Sequence, residues 1–343
     1  MIRLIMFAML VSIVLLIVGL ALLIVGADLL IRGVTALAVR LGVPTIVVGM
    51  TVVAFGTSTP EVAINLLTAI RGETALAFGN VVGSCTINIG WVLALTAIVR
   101  PLRVDAIVVR REVPFMILIT ATLCVLMLDE VLGGAVGAAP IASGLSRGDG
   151  VVLLLLFCVF IYYTVASLRT TQKSDELVET ATEAVDQLPR MQGWKMTLLI
   201  VLGLVGVAGG AQLSVGGAVD IARAYDVPEN VIGLTLVSFG TTLPELVTCL
   251  MAARRGQPEI AIGNVVGSNI LNVLLVGGAV ATIHPIALPP GGMGDLAMLG
   301  LLSLLVLPIA LRGGRIITRA EGAVLLTIYF AYVTWRLLTM QSA

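Results

Sequence analysis

The sequence predicts an all-α integral membrane protein of about ten transmembrane helices, arranged as two inverted five-helix repeats with broken helices at the membrane midplane. Three observations predict it. The 343 residues are 59% hydrophobic and 12% charged, with mean hydropathy +1.11, about half the charge of an ordinary soluble domain. Apolar runs long enough to span a bilayer recur along the whole chain, and the alternating pattern of an outer-membrane barrel is absent. Residues 49–91 and 233–275 are one segment written twice at a constant offset of 184, with 20 of 43 positions identical.

The first span, 4–38, follows Arg3 and continues far past the apolar core of a secretory signal, so it reads as a helix and not a leader. Gly19, Gly26, Ala27 and Gly33 match Gly203, Gly210, Ala211 and Gly217 at the same offset, so it belongs to the duplicated unit. Spans 44–71, 74–99, 112–129 and 149–168 complete the first repeat, residues 1–168. Residues 169–193 form a hydrophilic linker carrying Asp175, Glu176, Glu179, Glu183 and Asp186. Spans 196–223, 229–254, 258–283, 294–312 and 318–338 make the second repeat, residues 194–343.

Five spans is an odd number, so the second copy enters the membrane upside down relative to the first. Inverted repeats are a recurring plan of secondary transporters, with the site between the halves near the midplane. Loops on the side of the linker hold fourteen basic residues, including Arg100, Arg103, Arg110 and Arg111. The opposite side holds Arg3, Arg71, Arg147, Arg223 and Arg336. By the positive-inside rule the linker is cytoplasmic and both termini face outward.

Several classes are set aside by composition. Cys85, Cys124, Cys158 and Cys249 sit in apolar segments without CxxC spacing, which argues against a disulfide framework or a zinc site. No basic stripe indicates nucleic acid. Asp28 and Arg32, four apart in the first span, are expected to pair with each other; Gln212 and Gly216 replace them in the second copy. His284, the lone histidine, reads as an interfacial residue at a span end.

The polar residues kept in both copies carry the chemistry. Glu61 and Glu245 are expensive at the bilayer centre, about 2.5–3.5 kcal/mol each on insertion scales, unless something compensates. A bound cation is the natural compensation. Each follows a proline, and Pro60 and Pro244 cannot donate to the carbonyls of Gly56 and Gly240, which predicts broken spans with exposed backbone oxygens. Thr57 and Glu61 are four apart, as are Ser84 and Asn88, Thr241 and Glu245, and Ser268 and Asn272, so each pair shares a helical face. With Ser58 and Thr242 the inventory is carboxylates, hydroxyls and amides. Hard cations take such oxygens: Ca²⁺ tolerates irregular geometry, and Na⁺ fits subsets of the same set. Gly79, Gly83, Gly263 and Gly267 are small residues four apart that also serve close helix packing.

With GTSTPE and GTTLPE each followed by GNVVGS, the sequence resembles the sodium/calcium exchanger branch of the cation/calcium antiporter superfamily, over nearly its whole length. The resemblance implies Glu61 and Glu245 as central ligands, joined by Thr57, Ser58, Ser84 and Asn88 from the first repeat and Thr241, Thr242, Ser268 and Asn272 from the second. It also implies the backbone carbonyls of Ala54 and Ser238. The implied activity is exchange of Ca²⁺ for Na⁺ by alternating access, without catalysis or cofactor. The implied partners are inorganic cations and membrane lipid, with no obligatory protein partner. The short linker matches a prokaryotic form in a bacterial or archaeal inner membrane, without a cytosolic calcium-regulatory domain. Family members often carry aspartate where Asn272 stands, so this chain lacks a third ionisable group there. Exchange of Ca²⁺ for H⁺, a K⁺-dependent form, a passive cation channel and an intramembrane acid pair remain alternatives, separated by the ion dependence and coupling of flux.

Overall fold

The duplication is carried into the helix boundaries. In the computed structural model, which describes residues 2–106, 108–128, 144–171, 191–225, 238–312 and 314–341, the stretches Thr74–Val99 and Pro258–Ile283 begin and end 184 residues apart. Each is α-helix, π-turn and α-helix: α5 (Thr74–Ile87), the π-turn Asn88–Leu93 and α6 (Ala94–Val99) in the first copy. In the second they are α12 (Pro258–Leu271), the π-turn Asn272–Gly277 and α13 (Gly278–Ile283).

The preceding spans are broken, as expected. The first runs through α2 (Thr45–Val48), a π-turn at Gly49–Val53 and α3 (Ala54–Thr57). It then bends by 48° into α4 (Thr59–Arg71). The described part of its counterpart is α10 (Ser238–Thr241) followed by α11 (Leu243–Arg254). Both breaks fall on a hydroxyl residue, Ser58 (φ −85°, ψ 4°) and Thr242 (φ −94°, ψ −1°). Pro60 and Pro244 lie in the first turn of the following helix, where a missing N–H leaves no bond unmade. Gly72 (φ +74°) and Gly256 (φ +78°) supply the left-handed turns into α5 and α12.

The remaining helices are α1 (Ile2–Leu41), α7 (Val113–Leu126), α8 (Arg147–Thr171), α9 (Gly193–Ala224), α14 (Gly292–Leu311) and α15 (Arg319–Gln341). Among the described residues six stretches are long and apolar enough to cross a membrane, and the bent pair makes a seventh. Expected spans 112–129 and 229–254 run into residues outside the described set, as does the linker from 172 to 190. Large apolar side chains are exposed along these helices, Ile17, Ile70, Leu155 and Val205 among them. In water so much apolar surface would be unfavourable; against lipid it is the expected exterior.

The two copies interlock. α1 and α9 pack antiparallel, and their duplicated glycines are the contact. A Cβ on Gly19 would come within 2.8 Å of the Gly210 carbonyl oxygen, and one on Gly26 within 2.7 Å of Gly206. Small residues at such a crossing let backbones touch where no hydrophobic effect drives association. α13 packs on α8 and α6 on α15, so each copy supplies the partner for the other. α7 lies against α14. Two short antiparallel pairs join loops across the copies: β1 (Leu102–Arg103) with β4 (Ile316–Ile317), and β2 (Gly144–Leu145) with β3 (Ile286–Ala287).

One tie has no counterpart. Asp28 pairs with Arg32 at 2.9 Å as expected, and also with Arg255 at the end of α11. Nearby, Thr35 Oγ1 donates to Gln257 Oε1 at 2.5 Å. At 184 residues further on, Gln212, Gly216 and Val219 replace Asp28, Arg32 and Thr35, so α9 cannot repeat the network. The ends of α4 and α11 also differ in their neighbours. Arg100 donates to the carbonyls of Ala253 (2.8 Å) and Arg254 (3.1 Å), capping α11. Its counterpart His284 lies beside Gly72 at the end of α4.

Candidate cation site

Each half of the site is a helix break facing a π-turn. Glu61 and Glu245 occupy the first turns of α4 and α11, where the helix dipole favours negative charge. They are 2% and 1% exposed. Asn88 and Asn272 are each the first residue of a π-turn, a local distortion found frequently at functional sites. The backbone widening has no signature in side-chain spacing, and sequence reading missed it.

The first copy's break docks on the second copy's α12. Ser58 donates to Glu245 Oε1 (3.0 Å) and shares a second hydroxyl contact with Ser268 Oγ (3.0 Å). Thr57 Oγ1 lies 3.2 Å from Asn264 Oδ1 and 3.4 Å from the Ala54 carbonyl. That carbonyl also receives the Ser58 backbone N–H at 3.0 Å, so one of its lone pairs is committed to the helix. Ser84 donates within its own helix to Asn80 Oδ1 (3.1 Å). Asn88 Nδ2 donates to Asn269 Oδ1 (3.1 Å), and Asn269 Nδ2 donates to the Cys85 carbonyl (3.3 Å). Thr242 is buried and Thr241 half-buried; both lie at the second break. Ser238 is the first residue of α10.

Four of the predicted residues share one property. Glu61 Oε2, Glu245 Oε2, Asn88 Oδ1 and Asn272 Oδ1 are buried acceptor oxygens without a hydrogen-bond donor. Leaving any such group unmade costs about 1–3 kcal/mol, more for a charged one. Acceptors alone cannot satisfy one another; a cation is the kind of group that would. Among the described residues no group of three or more His, Cys, Asp or Glu forms a metal cluster. The four orphaned atoms are two carboxylate and two amide oxygens, the donor type that hard cations take.

Asn264 and Asn80, quoted in the repeated GNVVGS segments but not counted among the ligands, lie in this network. Their signal was available in their duplication. Asn65 and Asn269 were missed for the opposite reason. Cys249 and Cys85 occupy the matching positions of the other copy, so a search for polar residues kept twice passes over both.

A family model of the sodium/calcium exchanger protein matches residues 11–166 and again 195–338. A membrane protein of Methanocaldococcus jannaschii is 34% identical over 250 residues, covering 72% of each chain. The sodium/calcium exchanger MaX1 of Methanosarcina acetivorans is 37% identical over 134 residues, 39% of this chain and 38% of its own. A solved structure of the sodium-calcium exchanger NCX_Mj, soaked with Na⁺ and Sr²⁺, superposes with a TM-score of 0.79 at 31% identity, covering 95% of this chain and 98% of that one.

Proposed function

The chain belongs to the sodium/calcium exchanger family, a family of membrane antiporters, and from that membership and the site we propose that it exchanges Ca²⁺ for Na⁺ by alternating access. The observation that carries the reading is the set of orphaned acceptor oxygens on Glu61, Glu245, Asn88 and Asn272. Two carboxylates balance one Ca²⁺ or two Na⁺, so the ions compete for the same oxygens and one leaves before the other binds. Ser58, Thr57, Ser84, Thr241, Thr242 and Ser268 add hydroxyl oxygens, and the Ala54 and Ser238 carbonyls line the breaks. Asn272 is a neutral ligand, so the site charge stays at two. The halves are five-span inverted repeats, residues 1–168 and 194–343, that rock around the site. Residues 169–193 lie in the cytoplasm and both termini outside, in a bacterial or archaeal inner membrane.

Calcium uptake into proteoliposomes loaded with Na⁺ and diluted into Na⁺-free buffer tests this reading, beside vesicles holding equal Na⁺ on both sides. Uptake only under the outward Na⁺ gradient, lost at least 100-fold in Glu61→Gln and in Glu245→Gln, is the expected result. Gradient-independent uptake would make the protein a channel. Uptake driven by an imposed pH gradient would make it proton-coupled, and wild-type flux in either variant would remove the site assignment.

A further inference from the structure

Among the described residues seven buried side-chain atoms lack a hydrogen-bond partner. Thr248 Oγ1 and Ser303 Oγ are hydroxyls, which both donate and accept. The other five are acceptors only. Four are the carboxylate and amide oxygens already described; the fifth is Asn65 Oδ1.

Asn65 stands one turn beyond Glu61 on the same face of α4 and is 1% exposed. Its orientation is determined by a bond. Nδ2 donates to the Glu61 carbonyl at 2.8 Å, so turning the amide over would set two acceptors against each other. The oxygen must therefore be the atom left over. Thr68, the next polar residue along this face, donates to the Asn65 backbone carbonyl (2.8 Å) and leaves the side-chain oxygen bare.

The second copy answers differently at the same place. Cys249 accepts from Asn264 Nδ2 (3.4 Å) and donates to the Ala261 carbonyl (3.5 Å), so both its capacities are used. A thiol is also a poor ligand for hard ions. The polar stripe Thr57, Glu61, Asn65 and Thr68 on the first copy thus becomes Thr241, Glu245, Cys249 and Ala252 on the second.

We propose that Asn65 Oδ1 is a cation ligand, giving the first repeat a hard oxygen that the second lacks and creating a cation position that Asn65 shares with Glu61. The ion is of the Na⁺ or Ca²⁺ class, because a neutral amide oxygen beside a carboxylate suits hard cations. The proposal rests on the exchanger reading above and adds an asymmetry to it.

Equilibrium binding of Na⁺ and of Ca²⁺ to the full-length protein in detergent tests it, with Asn65→Leu, Asn65→Cys and Asn65→Asp beside Glu61→Gln. Leu keeps the volume without the amide, Cys copies the second repeat, and Asp restores an acceptor oxygen. The expected result is at least a fivefold weaker affinity for one of the two cations in both Leu and Cys variants, with Asp within fivefold of wild type or tighter. The cation-free melting temperature serves as the folding control, and Asn65→Cys decides alone if Asn65→Leu does not fold. Less than a fivefold loss for both cations, or an Asp variant as weak as the Leu variant, overturns the proposal. Wild-type binding in Glu61→Gln would instead overturn the exchanger site itself.

Discussion

The six residues Gly79–Ser84 and the six residues Gly263–Ser268 are identical in sequence and differ in burial. In the second copy all six are buried. A Cβ on Gly263 would meet the Ile46 carbonyl at 2.7 Å, and one on Gly267 the Met50 carbonyl at 2.5 Å. In the first copy Gly79 is exposed and Gly83 half-buried, with no described atom within 4 Å of an added Cβ at either. The glycines of the second copy meet Ile46 and Met50 of the first; the positions 184 further on, 230 and 234, lie outside the described residues. Among the described residues the same glycine is a contact surface in one copy and untouched in the other.

Substituting those glycines breaks the comparison most directly. Gly267→Ala forces a methyl into backbone and is expected to destabilise by about 1–3 kcal/mol, read as a lower melting temperature in detergent. Gly83→Ala meets no described atom and gains helix propensity, about 0.5–1 kcal/mol, so its melting temperature is expected to hold or rise. Equal losses at both positions would show that Gly83 is packed as closely as Gly267. If the copies exchange packing during transport, Gly79→Ala slows exchange at least tenfold with no loss of thermal stability. A wild-type rate would confine the glycine contact to the second copy.

The one-sided tie between α1 and the end of α11 sharpens the comparison on a smaller scale. Asp28 and its two arginines are partly exposed, so Asp28→Asn is expected to cost less than about 1 kcal/mol of stability. Because α9 lacks the network, the variant should alter the ratio of exchange rates measured in the two directions across the vesicle membrane. Thr35→Val removes the hydroxyl whose one proton is shared between Gln257 Oε1 and the Ile31 carbonyl and is expected to cost about 0.5–1.5 kcal/mol at most, with a smaller shift in the same ratio.

Much of this was readable from residues. The limits of the spans 74–99 and 258–283, the breaks before Pro60 and Pro244, and the Asp28 and Arg32 pair followed from apolar length, proline chemistry and helical spacing. Glu61 and Glu245 were conspicuous because charge in a long apolar run demands a reason. What escaped is long-range or purely backbone. Nothing in the chain's local pattern seats α8 on α13 or α15 on α6, and the π-turns at Asn88 and Asn272 leave no periodicity to read. Ser58 donating to Glu245 is a contact between residues 187 positions apart, set by how the breaks dock. Asn65 and Asn269 escaped because duplication was the filter, and each faces a cysteine in the other copy.

The interlocking of the copies has a consequence for either copy alone. One copy of the repeated unit would leave the glycine face of α1, the faces of α6 and α8 that meet the second copy and the free edge of β1 without partners. Those surfaces find their complements only on a second unit, since α9, α15, α13 and β4 supply them here. Because α1 and α9 run antiparallel, one copy on its own would meet the complement of its α1 face only on a second copy turned end over end. Carrying both copies on one chain makes that encounter intramolecular, and it lets paired positions such as Asn65 and Cys249 hold different residues.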